Sequence, residues 1–223
     1  MNRTPLLLAT TNPGKLREIR KALAGLPLTV RGLADVTTGP SYRERGATFA
    51  ANARGKSLRY SRRWEGLTLA EDSGLEVDAL GGAPGVRSAR FSAPRPTNEK
   101  NNRKLLRLLR GVPPGRRGAR FVCVMVLSER GRVVREIRGQ VRGRIGLEGR
   151  GRDGFGYDPL FYYPPLRRTF AELSPDEKNR VSHRGRALRG LVRFLATRSR
   201  AASRRLRRPA PGGGRGRGNP LAT

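Results

Sequence analysis

Four carboxylates, Glu71, Asp72, Glu76 and Asp78, crowd into the stretch Leu67–Leu80 of a chain otherwise short of acids, with 17 Asp+Glu against 48 Lys+Arg. Apolar runs at Leu67–Ala70 and Leu75–Leu80 flank the polar break Glu71-Asp72-Ser73-Gly74. The pattern predicts a strand that delivers carboxylates to its C-terminal end, followed by a turn at Gly74. Ligands of open α/β sheets sit in the crevice beyond such strand ends. Side-by-side carboxylates suit a hard cation such as Mg²⁺. A solvated hairpin edge is the other reading of the same acids.

Three further segments carry residue types that could act on a ligand. Pro5–Thr10 is an apolar run suited to a buried strand, Thr11-Asn12-Pro13-Gly14 breaks it, and a helix follows with Leu16, Ile19 and Leu23 on one face. Strand, tight loop and helix start with Lys15 form an anion site, because free N–H groups and the helix dipole face the loop. It is not a P-loop, since Ala9 stands at the first glycine position and Leu16 follows the lysine. An ordinary βα turn would look the same. The run Gly154-Phe155-Gly156-Tyr157-Asp158-Pro159 places two rings between glycines, fit either to stack on a flat ligand or to tuck into the core. Lys178, His183 and Arg184 cluster at the entry to the last helix, where a lone histidine is more often a cap or surface residue than a catalytic one.

The elements needed to position these groups are legible in outline. Leu28–Leu33 reads as a second strand, and Thr48 caps a helix from about Phe49 to Trp64 whose Lys56 faces either the site or solvent. The Gly81–Val86 run is an irregular loop. Thr97 opens a helix through Leu109 with Leu105, Leu108 and Leu109 inward; Ala119–Leu127 and Val133–Val141 pair as strands joined at Glu129–Arg132. Phe161–Tyr163 is a short strand, Ser174-Pro175-Asp176-Glu177 a helix start, and Ser182 opens the last helix with Leu188, Leu191, Val192 and Leu195 on one face.

Composition narrows the class. At 223 residues the chain fits one domain of one or two lobes. A net charge of +31 attracts anions at low salt, whether it reflects nucleic-acid binding or arginine spread over every helix face. Cys123 lies alone in an apolar run and reads as a core thiol, which suits a reducing cytoplasm; with one histidine besides, a structural zinc site has no ligand set. No stretch is apolar enough for a signal peptide or a membrane span. From Arg198 onward there are eight Arg and no acid amid Gly and Pro, so 198–223 reads as a disordered tail able to make non-specific nucleic-acid contact.

In order along the chain, Ala9–Lys15, Glu71–Leu75 with Gly81–Gly85, Gly154–Pro159 and Ser182-His183-Arg184-Gly185 make the sequence resemble the inosine triphosphate pyrophosphatase family, the XTP/dITP diphosphatases, over about Leu6 to Leu195. The resemblance implies an α/β fold with an elongated mixed sheet, flanking helices and two lobes around an active cleft, in a domain spanning 1–197. It implies a cytoplasmic homodimer that uses Mg²⁺ to hydrolyse XTP, ITP and dITP to the monophosphate and pyrophosphate. By position, Thr10, Thr11, Asn12, Pro13, Gly14 and Lys15 would cradle the triphosphate. Asp72 would hold the metal with Glu44 and act as base. Ser73 would touch the substrate, Phe155, Gly156, Tyr157 and Asp158 would hold the nucleoside, and Lys178, His183 and Arg184 would complete the base pocket. Fixed donors from Arg184 or the backbone would favour a 6-oxo purine over adenine. Three positions depart from the family pattern: Thr11 for a common Gly, Glu71 for an Asp, and Ala51 for a Glu in the helix after Thr48. The rival reading is an arginine-rich nucleic-acid binder on the same fold with weakened or lost catalysis, and a related enzyme for modified pyrimidine nucleotides is a third.

Overall fold

The computed structural model describes residues 3–36 and 42–206. Seven strands form one mixed sheet: β1 (Thr4–Leu8), β2 (Leu28–Gly32), β3 (Leu67–Val77), β4 (Gly118–Glu129), β5 (Arg132–Ile145), β6 (Phe161–Tyr163) and β7 (Arg168–Thr169), in the order β2-β1-β3-β4-β5-β6-β7. β1 runs parallel to β2 and β3, whereas every pairing from β3 to β7 is antiparallel. The parallel half needs crossovers, and helices α1 (Pro13–Leu23) and α2 (Phe49–Ser61) supply them. The antiparallel half needs only a tight turn: Arg130 and Gly131 both take positive φ, 48° and 75°, in the two-residue loop joining β4 to β5.

Helices α3 (Asn98–Leu108), α4 (Pro175–Val181) and α5 (His183–Leu206) complete the fold. The helix starts expected at Thr48, Thr97 and Ser174 are capped by those side chains, and Asn12, read from sequence only as part of a break, caps α1 in the same way; each accepts an N–H of the turn it opens.

The core divides along the sheet. α1 and α5 pack Ile19, Leu23, Leu188 and Leu191 against Leu67, Leu69, Met125 and Leu127. On the opposite face α2 sets Phe49 and Ala53 against Val122, Val124 and Val126. A further cluster, Leu75, Val77, Leu105, Phe121, Phe161 and Phe170, fills the other end. β4 is therefore covered on both sides, and Cys123 is wholly buried within it.

Three expectations are corrected. No turn occurs at Gly74; β3 runs on to Val77, and the glycine is there because Ser88 and the Gly85 carbonyl press against it. Leu108 is 44% exposed, since α3 buries only the Leu105 and Leu109 side. The last helix passes the anticipated boundary at 197 and stays helical to Leu206, through residues such as Ala201 and Ala202 with high helix propensity. The rest of the expected tail, and the nucleic-acid contact proposed for it, lie outside the described residues.

Candidate active site

A cleft with a cavity volume of about 360 Å³ opens where the C-terminal end of β1, the middle of β3, the second half of α2, the loop 154–158 and the α4–α5 junction converge. It is lined by Thr10, Thr11, Asn12, Lys15, Glu44, Asp72, Ser73, Phe155, Gly156, Tyr157, Asp158, Lys178, His183 and Arg184. Pro13 and Gly14 do not line it. Pro13 opens α1, and Gly14 lies under Phe155, so close that an added Cβ would stand 3.1 Å from the ring.

The βα loop is built as an anion cradle. The Asn12 side chain accepts the Lys15 N–H at 3.1 Å, and Thr10 Oγ1 accepts the Asn12 N–H at 3.2 Å. The loop is thereby folded back on the helix N-terminus, where Pro13 has no N–H to give and the Gly14 N–H is the one left without a helical partner.

Strand alternation then separates the two acids of β3. Glu71, expected beside Asp72 as a possible metal ligand, faces the α1–α5 side and is consumed there by cations. Arg184 reaches it through Nε at 3.0 Å and Nη2 at 2.9 Å, and Lys15 lies 3.1 Å away. Burial alone would raise its carboxyl, but Arg184 and then Lys15 hold it well below the carboxylate range. Arg184 itself is 2% exposed and also bonds Ser73 Oγ at 3.0 Å and Glu18 at 2.8 Å. Of its five N–H donors, one on Nη1 is unspent, so the 6-oxo donor expected of Arg184 is reduced to that single hydrogen.

Asp72 points to the α2 side. The buried Asn52 amide donates to it at 2.9 Å, and the same side chain accepts the Gly46 N–H at 2.7 Å, tying the Glu44 loop to the strand. Burial first, and then the Glu44 charge, raise the Asp72 carboxyl, against the lowering effects of Asn52, Lys15 and Lys56. Glu44 pairs with Lys56, which settles that this lysine faces the cleft.

Beside the cradle the cleft is aromatic. His183 stacks on Phe121 with centroids 4.7 Å apart and planes at 11°. Burial, then the Arg184 charge, hold its imidazole well below the usual range, so it is neutral at pH 7, and Nδ1 has no partner. The Phe155 ring carries Lys178 Nζ at 4.7 Å and the Arg184 guanidinium at 5.4 Å, while Lys178 bonds Asp158 at 2.5 Å. Asp158 in turn accepts the Phe155 N–H at 2.8 Å and closes the loop. A flat ring entering here meets a phenyl face, a neutral imidazole and a charged rim, whereas a polyphosphate meets the cradle, Lys15 and Lys56.

Asn52, Glu18 and Arg90 were not foreseen. Asn52 had a signal: it shares a helical face with Phe49 and Ala53, and a polar residue on a buried face needs a partner.

Fold and cleft together define an α/β protein in which a strand–loop–helix start and an aromatic, cation-rich loop adjoin in one groove. The chain belongs to the Ham1 family, whose model matches residues 6–194. It is 47% identical, over 83% of its length and 94% of the relative's, to a dITP/XTP pyrophosphatase of an Exiguobacterium strain. It is 49% identical to one from Gloeobacter violaceus, over 84% and 92%. A HAM1 protein structure from Coxiella burnetii superposes with a TM-score of 0.81 at 37% identity, covering 87% of this chain and 99% of that one.

Proposed function

We propose that the protein hydrolyses non-standard purine nucleoside triphosphates, dITP, XTP and ITP, to the monophosphate and pyrophosphate, and so clears them from the nucleotide pool. One observation carries the reading: segments scattered from Thr10 to Arg184 meet in one cleft, where the strand–loop–helix start of Thr10–Lys15 adjoins the ring of Phe155 and the carboxylates of Asp72 and Glu44. The names of the relatives agree with it. The reading includes a cytoplasmic homodimer, as the family resemblance implies.

Asp72 is the base in this scheme. Its raised carboxyl is matched to accepting a proton from the attacking water, and Asn52 fixes its orientation. Thr10 to Lys15 bind the phosphates, and Lys15 and Lys56 offset charge on them. Ser73, held between Glu71 and Arg184, contacts the nucleotide. Phe155 to Asp158 and Lys178 seat the nucleoside, and His183 and the spare Arg184 N–H face the base. A 6-oxo acceptor satisfies that hydrogen; the 6-amino group of adenine opposes it.

Magnesium is the implied cofactor, and Glu44 and Asp72 would hold it. Among the described residues no third His, Cys, Asp or Glu completes a cage. Two carboxylates nevertheless fit an ion that keeps waters and takes substrate phosphates as its other ligands. When bound, it would neutralise phosphate charge and lower the pKa of coordinated water. Ala51 contributes no further acid to this set. Its methyl lies against the Gly46 backbone, where an added Cβ would be 2.9 Å away.

The test is pyrophosphate release from dITP, XTP, ATP and GTP with Mg²⁺. Turnover of the first two and a loss of at least about 10²-fold in Asp72→Asn are expected. Equal rates for wild type and variant would refute the role of Asp72, and no turnover of dITP or XTP would refute the function.

A further inference from the structure

Five cations line the cleft, and four are matched by carboxylates. Lys15 pairs with Glu71, Lys56 with Glu44, Lys178 with Asp158, and Arg184 with Glu71 and Glu18. Arg90 alone has no carboxylate within ion-pair distance among the described residues. Among the described residues its one side-chain hydrogen bond runs from Nη2 to the backbone carbonyl of Glu44, at 3.3 Å.

An exposed arginine is ordinarily just a solvated charge. This one sits on an unusually well-fastened segment, the 3-10 turn Gly85–Arg90. Ser88 Oγ accepts the Leu75 N–H of β3 at 2.9 Å and donates to the Gly85 carbonyl at 2.6 Å. The Ser88 carbonyl accepts the Tyr157 hydroxyl at 2.8 Å and the Asn101 amide at 3.3 Å. Asn101 also donates to the Ala89 carbonyl at 3.3 Å and accepts the Ser92 N–H at 2.8 Å. The backbone on either side of Arg90 is thus anchored to β3, to α3 and to the loop that seats the nucleoside, so the guanidinium is presented from a fixed base at the Glu44 end of the cleft.

We propose that Arg90 binds the terminal phosphates of the nucleotide and receives the departing pyrophosphate. This assignment rests on the function proposed above. In that reaction the water oxygen bonds to the α-phosphorus and the bond from that phosphorus to the oxygen bridging to the β-phosphate breaks. The electron pair of the broken bond stays on pyrophosphate, and a water proton passes to Asp72. Negative charge therefore grows on the leaving group. The lysines nearby already share their charge with Glu71 and Glu44, whereas the guanidinium of Arg90 keeps its remaining N–H groups for a phosphate, in a geometry suited to a two-point grip. Its bond to the Glu44 carbonyl also links the occupied phosphate site to the loop that carries Glu44.

The experiment combines dITP kinetics with calorimetric binding of each product, pyrophosphate and dIMP, in Mg²⁺ buffer, for wild type, Arg90→Gln and Arg90→Lys. Arg90→Gln is expected to lose about 10²- to 10³-fold in kcat/KM. It should also bind pyrophosphate at least about tenfold more weakly while dIMP affinity is unchanged, with Arg90→Lys recovering part of both losses. Pyrophosphate affinity within about twofold of wild type in Arg90→Gln overturns the assignment, and so does equal weakening of both products, which marks a merely structural role. A wild type that turns over neither dITP nor XTP overturns the proposed function and this assignment with it. A wild type that turns over normally, beside an Arg90→Gln variant of unchanged pyrophosphate affinity, overturns the assignment alone.

Discussion

Glu71 and Asp72 are adjacent in the chain and opposite in circumstance. Glu71 is buried among Arg184, Lys15 and Ser73, and removing its charge strands two cations in the interior. Breaking such a pair from one side costs about 3–5 kcal/mol, so Glu71→Gln should lower the unfolding free energy by about that much in urea titration, with activity falling alongside. His183 makes a second prediction, and as the chain's only histidine it makes it cleanly. Burial, then the Arg184 charge, depress its pKa in the folded state. Below the ordinary value of 6.5 the unfolded chain therefore binds a proton that the folded chain refuses, and stability falls as pH falls. The slope is about 1.4 kcal/mol per pH unit below that value. Denaturation of wild type and His183→Gln between pH 7.5 and 5.5 should show this slope in the first and its absence in the second; parallel curves would contradict the neutral, buried imidazole.

Among the elements, β3 and the turn that follows it depend on one missing side chain. A Cβ at Gly74 would meet the Gly85 carbonyl at 2.7 Å and collide with Ser88 Oγ. Gly74→Ala must push β3 and the Gly85–Arg90 turn apart, at a cost of about 1–3 kcal/mol. Thermal melting should register that loss, and because Arg90 and the Tyr157 contact ride on the same turn, kcat/KM should fall further than stability explains. This position also shows what the sequence could and could not disclose. Glycine in a polar break reads as a turn, because positive φ is the usual reason for it. Here the reason is the approach of a segment many residues away, which no local pattern records. The helix starts at Thr48, Thr97 and Ser174 were legible because a cap is a local contract between a side chain and its own first turn. The cleft's motif segments were legible for the same reason, each being punctuated by Gly, Pro or a charge at a break. Asn52, Glu18 and Arg90 acquire their roles from partners brought near only by packing. Arg184 lay in a legible segment, but its ties to Glu71 and Glu18 were not legible, since neither contact is local.

For the whole molecule the dominant quantity is a net charge of +31. Within the cleft the cations are largely matched by carboxylates, so the excess lies elsewhere on the chain and acts on the approach of ligand more than on its fit. Such an effect is screened over about 8–10 Å at ordinary ionic strength. The KM for dITP should accordingly rise severalfold between about 50 and 300 mM salt while kcat stays within about twofold. A kcat that falls in step with KM would instead place the salt-sensitive charges among the catalytic contacts.

The two-sidedness of β3 has a consequence for how its substitutions can be told apart. Odd-numbered neighbours, Glu71 and Ser73, look toward α1 and α5; even-numbered Asp72 looks toward α2 and Asn52. Under the proposed function, the group that takes the water proton would thus stand back to back with the ion-pair cluster beneath the ligand, on one extended backbone with separate neighbours. A change on one side of that single strand would leave the contacts of the other side in place.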